Sequence, residues 1–459
     1  MLARLDAGRL ASACAFLLVV LLAVPAGASA AKEKRGLFSF GELQAATVGE
    51  TGCGENASGE PAIHVSRAGN VFLGSELGLG SGSQLWRGLS ALGGKAASGC
   101  GLEYRGQPNA VEGHGASGGD IDIAIANATN SEGNYNVYVS SLNLASVNVA
   151  HSTDNATTFS QTPIVGGLPG DDREWIAAFG AETSLLSFHQ VATNNIEILR
   201  SDDGGSVYTK VATAIPTGDY KEAGNELGNL VIDHRNLPDT TGDFYAYQAF
   251  VAPSEEGGEA NNEAFLAVSS DGGKTWIDQP IPCSTAAAST ALDHNFPNVS
   301  VAPNGEVWYA WSDDHTITTA VSKDHGSTWE CSKPVSSTSA RAIFPWLVAT
   351  SKGVDLVYYS EPSESEQLWY VDFVQNLKGK AKSWAKPHQL FPVHKGEVCE
   401  GGIECTSGRQ LFDDFGVDTD AQGWAHIAYS HDSPELGGEE TYTGYAVQTR
   451  GRQVGEPNS

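Results

Sequence analysis

Four carboxylates and an arginine recur at matching places in this chain. Glu60, Asp120, Glu174 and Asp414 each open a phrase that reads strand, turn, strand. The turn glycines Gly69, Gly305, Gly353 and Gly423 each lie nine residues after Glu60, Phe296, Phe344 and Asp414. Arg173 stands one residue upstream of this register, in Asp171-Asp172-Arg173-Glu174-Trp175. If equivalent positions converge, several carboxylates meet on one face. Carboxylates forced together raise one another's pKa, and one of them can then hold a proton for general acid work. Asp120, Glu174 and Asp172 are the candidates for that role. A group of carboxylates could equally bind calcium (Ca2+). No spacing resembles a zinc site, and no metal ligands are assigned. Arg173, Arg341 and Arg409 precede or open such phrases, and a planar guanidinium pairs with a carboxylate through two parallel bonds.

The elements that must position these groups are strands. The chain has 53 glycines and one methionine. No long stretch has helical periodicity. Looser copies of the phrase begin at Asp120, Glu174 and near Gly228, giving seven units: 60–93, 120–159, 174–208, 228–276, 296–329, 344–384 and 414–450. Seven starts spaced by roughly 50 residues predict an all-β propeller of four-stranded blades, with six blades as the alternative. In such a fold the first strand of each blade lines a central channel. Unit 7 shows three strands, and residues 37–47 either supply its fourth or form a tail. The domain reading is therefore a leader over 1–30, an N-terminal segment over 31–55, a propeller over 56–450 and a tail over 451–459. Long loops are expected at 255–262, 361–367 and 378–410.

Two octets punctuate the units, Ser269-Ser-Asp271-Gly-Gly273-Lys-Thr-Trp276 and Ser322-Lys-Asp324-His-Gly326-Ser-Thr-Trp329. Degraded copies begin at Ser152 and Ser201. Ser and Asp side chains bond turn backbone, Gly supplies positive φ, and Trp re-enters a strand. The octet resembles the Asp-box (BNR) repeat of the sialidase-like superfamily. That resemblance implies a structural role for the box and a secreted glycoside hydrolase of exo-α-sialidase type acting on terminal sugars. Its relatives hold a sugar carboxylate with three arginines, for which Arg173, Arg341 and Arg409 would serve. Trp175 and Trp346 would stack on sugar rings or pack the core. The family's Phe-Arg-Ile-Pro signature is absent, although Phe296-Pro297 and Phe344-Pro345 keep its ends, and no Tyr–Glu nucleophile pair is placed. The alternative is a non-catalytic propeller binding glycan or protein on the same face.

Composition limits the partners. With 27 Lys and Arg against 55 Asp and Glu, the formal charge is −28. This argues against nucleic acid and anionic membranes. Arg4 and Arg9, the apolar run 11–24 and Ala28-Ser29-Ala30 read as a secretory signal. No later run is long enough to span a bilayer. The mature chain is expected to be secreted, monomeric and directed at a glycan or glycoconjugate. Outside the leader there are six cysteines, which suits an oxidising compartment. Cys399 with Cys405, Cys283 with Cys331 and Cys53 with Cys100 are the preferred pairs. Asn56, Asn127, Asn155 and Asn298 begin N-x-Ser/Thr sequons.

Overall fold

The computed structural model describes residues 37–457, apart from short stretches at 79–80, 90–98, 111–118, 144–145, 165–169, 236, 238–242, 337–338, 403–404 and 433–435. The expected leader, 1–30, lies outside the described residues. Seven four-stranded antiparallel sheets form a ring of blades. The innermost strands are Gly59–Val65, Ile121–Thr129, Asp171–Phe179, Glu226–Ile232, Asn298–Val301, Arg341–Ala349 and Gly416–Thr419. Each touches the innermost strand of the next blade, and blade 7 returns to blade 1. The outer strand of blade 7 is Phe38–Glu42, which pairs antiparallel with Tyr442–Gln448. Tyr220–Ala223 is a 3₁₀ turn, and no helix among the described residues is long and apolar enough to cross a membrane.

Inner strands crowd at the axis, so their backbone groups must find partners there. Side chains of one blade supply them to the next. Asp122 accepts from the Ile176 N–H at 2.9 Å and Asp418 from Val65 at 2.7 Å. Asn229 accepts from Val299 at 2.7 Å, and Asn298 from Leu347 at 2.8 Å. His64 sits between two of these carboxylates, 3.7 Å from Asp122 and 3.8 Å from Asp418. Burial lowers its pKa, but the bond to Asp122 and the two charges outweigh that and hold it above its ordinary value.

The octets close the hairpins between third and fourth strands, and all four fold alike. In blade 4 the Gly273 N–H donates to Ser269 Oγ at 2.9 Å. Asp271 accepts from the Thr275 N–H at 2.9 Å and the Thr275 hydroxyl at 2.7 Å. Blade 5 repeats this with Gly326 to Ser322 at 2.8 Å and Thr328 to Asp324 at 2.8 and 2.7 Å. Gly273 has φ +87°, and a Cβ there would meet Leu185 of the preceding blade at 3.0 Å. The aromatic that ends each octet packs into the interface with the preceding blade: Phe159 between blades 1 and 2, Tyr208 between 2 and 3, Trp276 between 3 and 4, Trp329 between 4 and 5. A fully buried large side chain contributes about 1.5–3 kcal/mol.

Three disulfides form: Cys53–Cys100, Cys283–Cys331 and Cys399–Cys405. They fit an oxidising compartment. The stretch 378–410, expected as one long loop, instead contains the outer strand of blade 6, His388–Lys395. Its alternation was hidden by two prolines and the neighbouring lysines. The sequon residues Asn56 and Asn298 are buried, and both serve as hydrogen-bonding residues between chain segments.

Partial burial pushes the Asp271 carboxyl up, but bonds from Thr275, Ser269 and the Lys274 N–H outweigh it and hold it below the usual range. A depressed folded pKa adds stability that is complete above the unfolded value and is lost as pH falls through the folded one. Asp271→Ala should therefore lower stability at pH 7 by about 1–2 kcal/mol. The difference from the parent should shrink below about pH 4. Thermal unfolding at pH 7 and pH 3 checks both.

Candidate functional site

The inner strands of blades 1, 3 and 6 each carry a bulge at the channel mouth. Their registers slip between Gly59 and Ala62, Asp172 and Glu174, and Ile343 and Trp346. Glu60 has φ 51°, Arg173 37° and Phe344 53°, a left-handed backbone that costs a non-glycine residue about 1–2 kcal/mol. A bulge re-aims one side chain. In blade 3 that residue is Arg173, and Glu174 falls to the next position.

Arg173 crosses the mouth. One guanidinium nitrogen donates to Glu60 Oε1 of blade 1 at 2.5 Å, and the other to Asp414, just before the inner strand of blade 7. Asp120, before blade 2, lies 3.8 Å from the first nitrogen. The guanidinium carbon sits 4.0 Å from the Trp175 ring centre and 5.1 Å from that of Phe296 in blade 5. Trp346 of blade 6 packs 5.5 Å from Trp175. The arginine, only 2 % exposed, and the aromatic layer together floor the mouth. Below it a cavity is lined by His64, Ile123, Ile176, Leu230 and Leu347.

Around Arg173 carboxylates outnumber cations. Glu60, Glu76 and Asp120 each bring one oxygen to within 4.8 Å of the others. Burial and the charge of Asp120 hold Glu60 and Glu76 well above the usual carboxylate range, against the pull of Arg173. Burial raises Asp120 too, with Arg173 opposing. It pushes Asp414 up to about 7 despite Arg173. Arg409 pairs with Asp413 and is partly open to solvent. Glu174 is fully buried, and neither carboxylate oxygen has a hydrogen-bond partner among the described residues. Burial keeps its pKa well up. Asp172 is exposed at the rim. Burial, with Asp172 and Asp293, raises Glu226 well above its range.

A second cluster stands between blades 5 and 6. Arg341, at the head of its strand, pairs with Glu400 and lies 5.0 Å from the Trp369 ring centre. Asn295 donates to Glu400 Oε2 at 3.1 Å and to Asp314, and accepts the Phe344 N–H at 2.9 Å. Asp314 has φ 69°. Burial, then a hydrogen bond and charge from Asp314, push Glu400 up to about 8 against Arg341. The Cys399–Cys405 loop carries Glu400 to this point.

Of the sequence candidates, Arg173, Arg409, Asp120 and Trp175 thus lie in or against the first cluster. Asp172 sits on its rim, Glu174 is buried beneath, and Trp346 belongs to the floor. Arg341 lies in the second cluster. Glu76, Glu400 and Asp314 were missed. Glu76 ends a second strand without a motif. The only signal for Glu400 was its place inside a disulfide loop.

No family model matches the chain, and no curated protein matches it. Among solved structures it is similar to the GH74 enzyme of Niastella koreensis, with TM-score 0.49 and 14% identity over 88% of this chain and 53% of that one. It is also similar to the GH93 α-L-arabinofuranosidase of Fusarium graminearum, with TM-score 0.46 and 12% identity over 90% and 98%. A third is the NanB sialidase from Streptococcus pneumoniae, with TM-score 0.45 and 10% identity over 86% and 70%. The chain spans about half the length of the GH74 structures it matches.

Removing Arg173 would strand Glu60 and Asp414 as buried charges. Breaking a buried pair in this way costs about 3–5 kcal/mol. Arg173→Met should be destabilised by that order in thermal unfolding at pH 8. Adding Glu60→Gln and Asp414→Asn should restore most of it.

Proposed function

We propose that the chain is a glycoside hydrolase working at the mouth of the channel, with Glu400 as its proton donor. The observation that carries this reading is the meeting of two carboxyls, Glu400 and Asp314, on the single Asn295 side-chain amide, with Glu400 buried. Burial, then the neighbouring Asp314, push the Glu400 pKa up to about 8, which favours its protonated form at neutral pH. A general acid that is still protonated at neutral pH is what cleavage of a glycosidic bond requires. The disulfide loop and Asn295 fix its position. Glycoside hydrolysis needs a second carboxylate as base or nucleophile. Asp172, exposed on the rim, and Asp413, half-buried beside Arg409, are the groups open to a substrate for that role. Partly exposed Phe296 and Trp346 offer faces for a sugar ring. The resemblance of the octets to the Asp-box agrees with this class.

Uncharged sugars suit the mouth better than anionic ones. Arg173 is already matched by Glu60 and Asp414 and Arg409 by Asp413, while Arg341 is occupied by its bond to Glu400. A sugar carboxylate would have to displace one of these. The sialidase reading draws on one observation, that Arg173 and Arg409 share the first cluster and Arg409 is partly open.

Purified chain is assayed on aryl glycosides of neutral sugars and on a sialoside. Release from a neutral glycoside is expected, with kcat/KM falling above about pH 8. Glu400→Gln should cut kcat/KM by about 10²–10⁴-fold and abolish that limb. Sialoside cleavage alone would reinstate the sialidase reading. No release from any substrate would leave a glycan- or protein-binding propeller.

A further inference from the structure

Glu60, Glu76 and Asp120 reach one point from three places: the bulge of the first inner strand, the end of the strand beside it (Val71–Glu76), and the residue before the blade 2 inner strand. One oxygen from each lies within 4.8 Å of the other two. Oxygens so spaced can all contact a single ion at about 2.3–2.6 Å, the calcium distance. Glu76 supplies an independent sign. It is 4% exposed, yet its carboxylate makes no hydrogen bond or ion pair with any described residue. Burying such a group without a partner is costly, and native structures rarely leave one.

The neighbouring cations do not meet the need. Arg173 spends its guanidinium on Glu60 and Asp414, and Arg409 is held by Asp413. Two positive charges thus face the carboxylates of Glu60, Glu76, Asp120, Asp413 and Asp414. We propose that Glu60, Glu76 and Asp120 bind a divalent cation at the channel mouth, with calcium preferred over magnesium. The three ligands are hard oxygens from separate loops and strands, a flexible set. Magnesium demands contacts of about 2.0–2.1 Å in a near-ideal octahedron and dehydrates reluctantly, a poorer match for three carboxylates than calcium's larger, irregular shell. Asp120 is the most open of the three, its side chain 21% exposed, so water or a ligand hydroxyl can complete the shell from the solvent side. The ion ties blade 1 to blade 2 beside Arg173. This proposal does not depend on the hydrolase reading.

The full chain, stripped with a chelator, is titrated with calcium chloride and separately with magnesium chloride by calorimetry, and its thermal midpoint is followed. One calcium site is expected, with a rise in midpoint, and at least tenfold weaker magnesium binding. Glu76→Gln keeps the side-chain shape and removes the unpaired charge. It should abolish the site and, in chelator, melt higher than the parent. Asp120→Asn, at a partly open position, should fold and bind at least tenfold more weakly. No heat and no shift at about 10 mM calcium, above the range of extracellular calcium modules, would overturn the proposal. So would unchanged uptake in Glu76→Gln, which would assign binding to the acidic surface at large. Equal affinity for magnesium would overturn the calcium preference.

Discussion

The Arg173 guanidinium is bonded or close to carboxylates from blades 1, 2 and 7 while lying on aromatic rings of blades 3 and 5. Charge buried at a propeller axis has to be balanced where it stands, because low-dielectric surroundings leave little screening. Much of the mouth follows from that demand. The blade 3 bulge aims the arginine across the axis, and the blade 1 bulge aims Glu60 to meet it. The ring of Trp175 that takes the guanidinium also packs on Trp346, which lines the cavity of His64 and Leu347. Charge on the carboxylates that Arg173 does not reach must be met by protons or other cations.

Away from the axis the problem is the opposite one, of holding blades together where no charge is needed. Inner-strand Asp and Asn side chains take the backbone N–H of the next blade. At the rim, the octets stiffen hairpins and send one aromatic into the preceding interface. These two devices use different residues of the same repeat, so a blade can vary at its mouth end without loosening its neighbours.

The fold was legible because both devices leave sequence traces. A glycine nine residues after the opening marks the inner hairpin in four of the seven phrases, and Ser-x-Asp-x-Gly marks the outer one. The mouth was less so. Spacing placed Glu174 in the register, but the bulge gave the axial position to Arg173 and buried Glu174. Bulges form where neighbouring strands leave room, which no local pattern records. Glu76 looks like any strand-ending acid. Glu400 acquires its setting only when Arg341, Asn295 and Asp314 arrive from elsewhere in the chain. Arg341 itself stands apart from Arg173 because it answers that loop.

Ring closure sets an order of events in time. Phe38 pairs with Gln448, so the strand synthesised before all the blades cannot be completed until the last has emerged. Loop closure across such a distance is entropically the slowest kind of contact to make. Until then blade 7 has an open edge, and Phe40, still half-exposed in the finished ring, lies on the strand meant to cover it. The Cys53–Cys100 bridge anchors the segment behind that strand to the end of blade 1. The search for its partner is thereby shortened, and the closing strand is held close by while the remaining blades arrive.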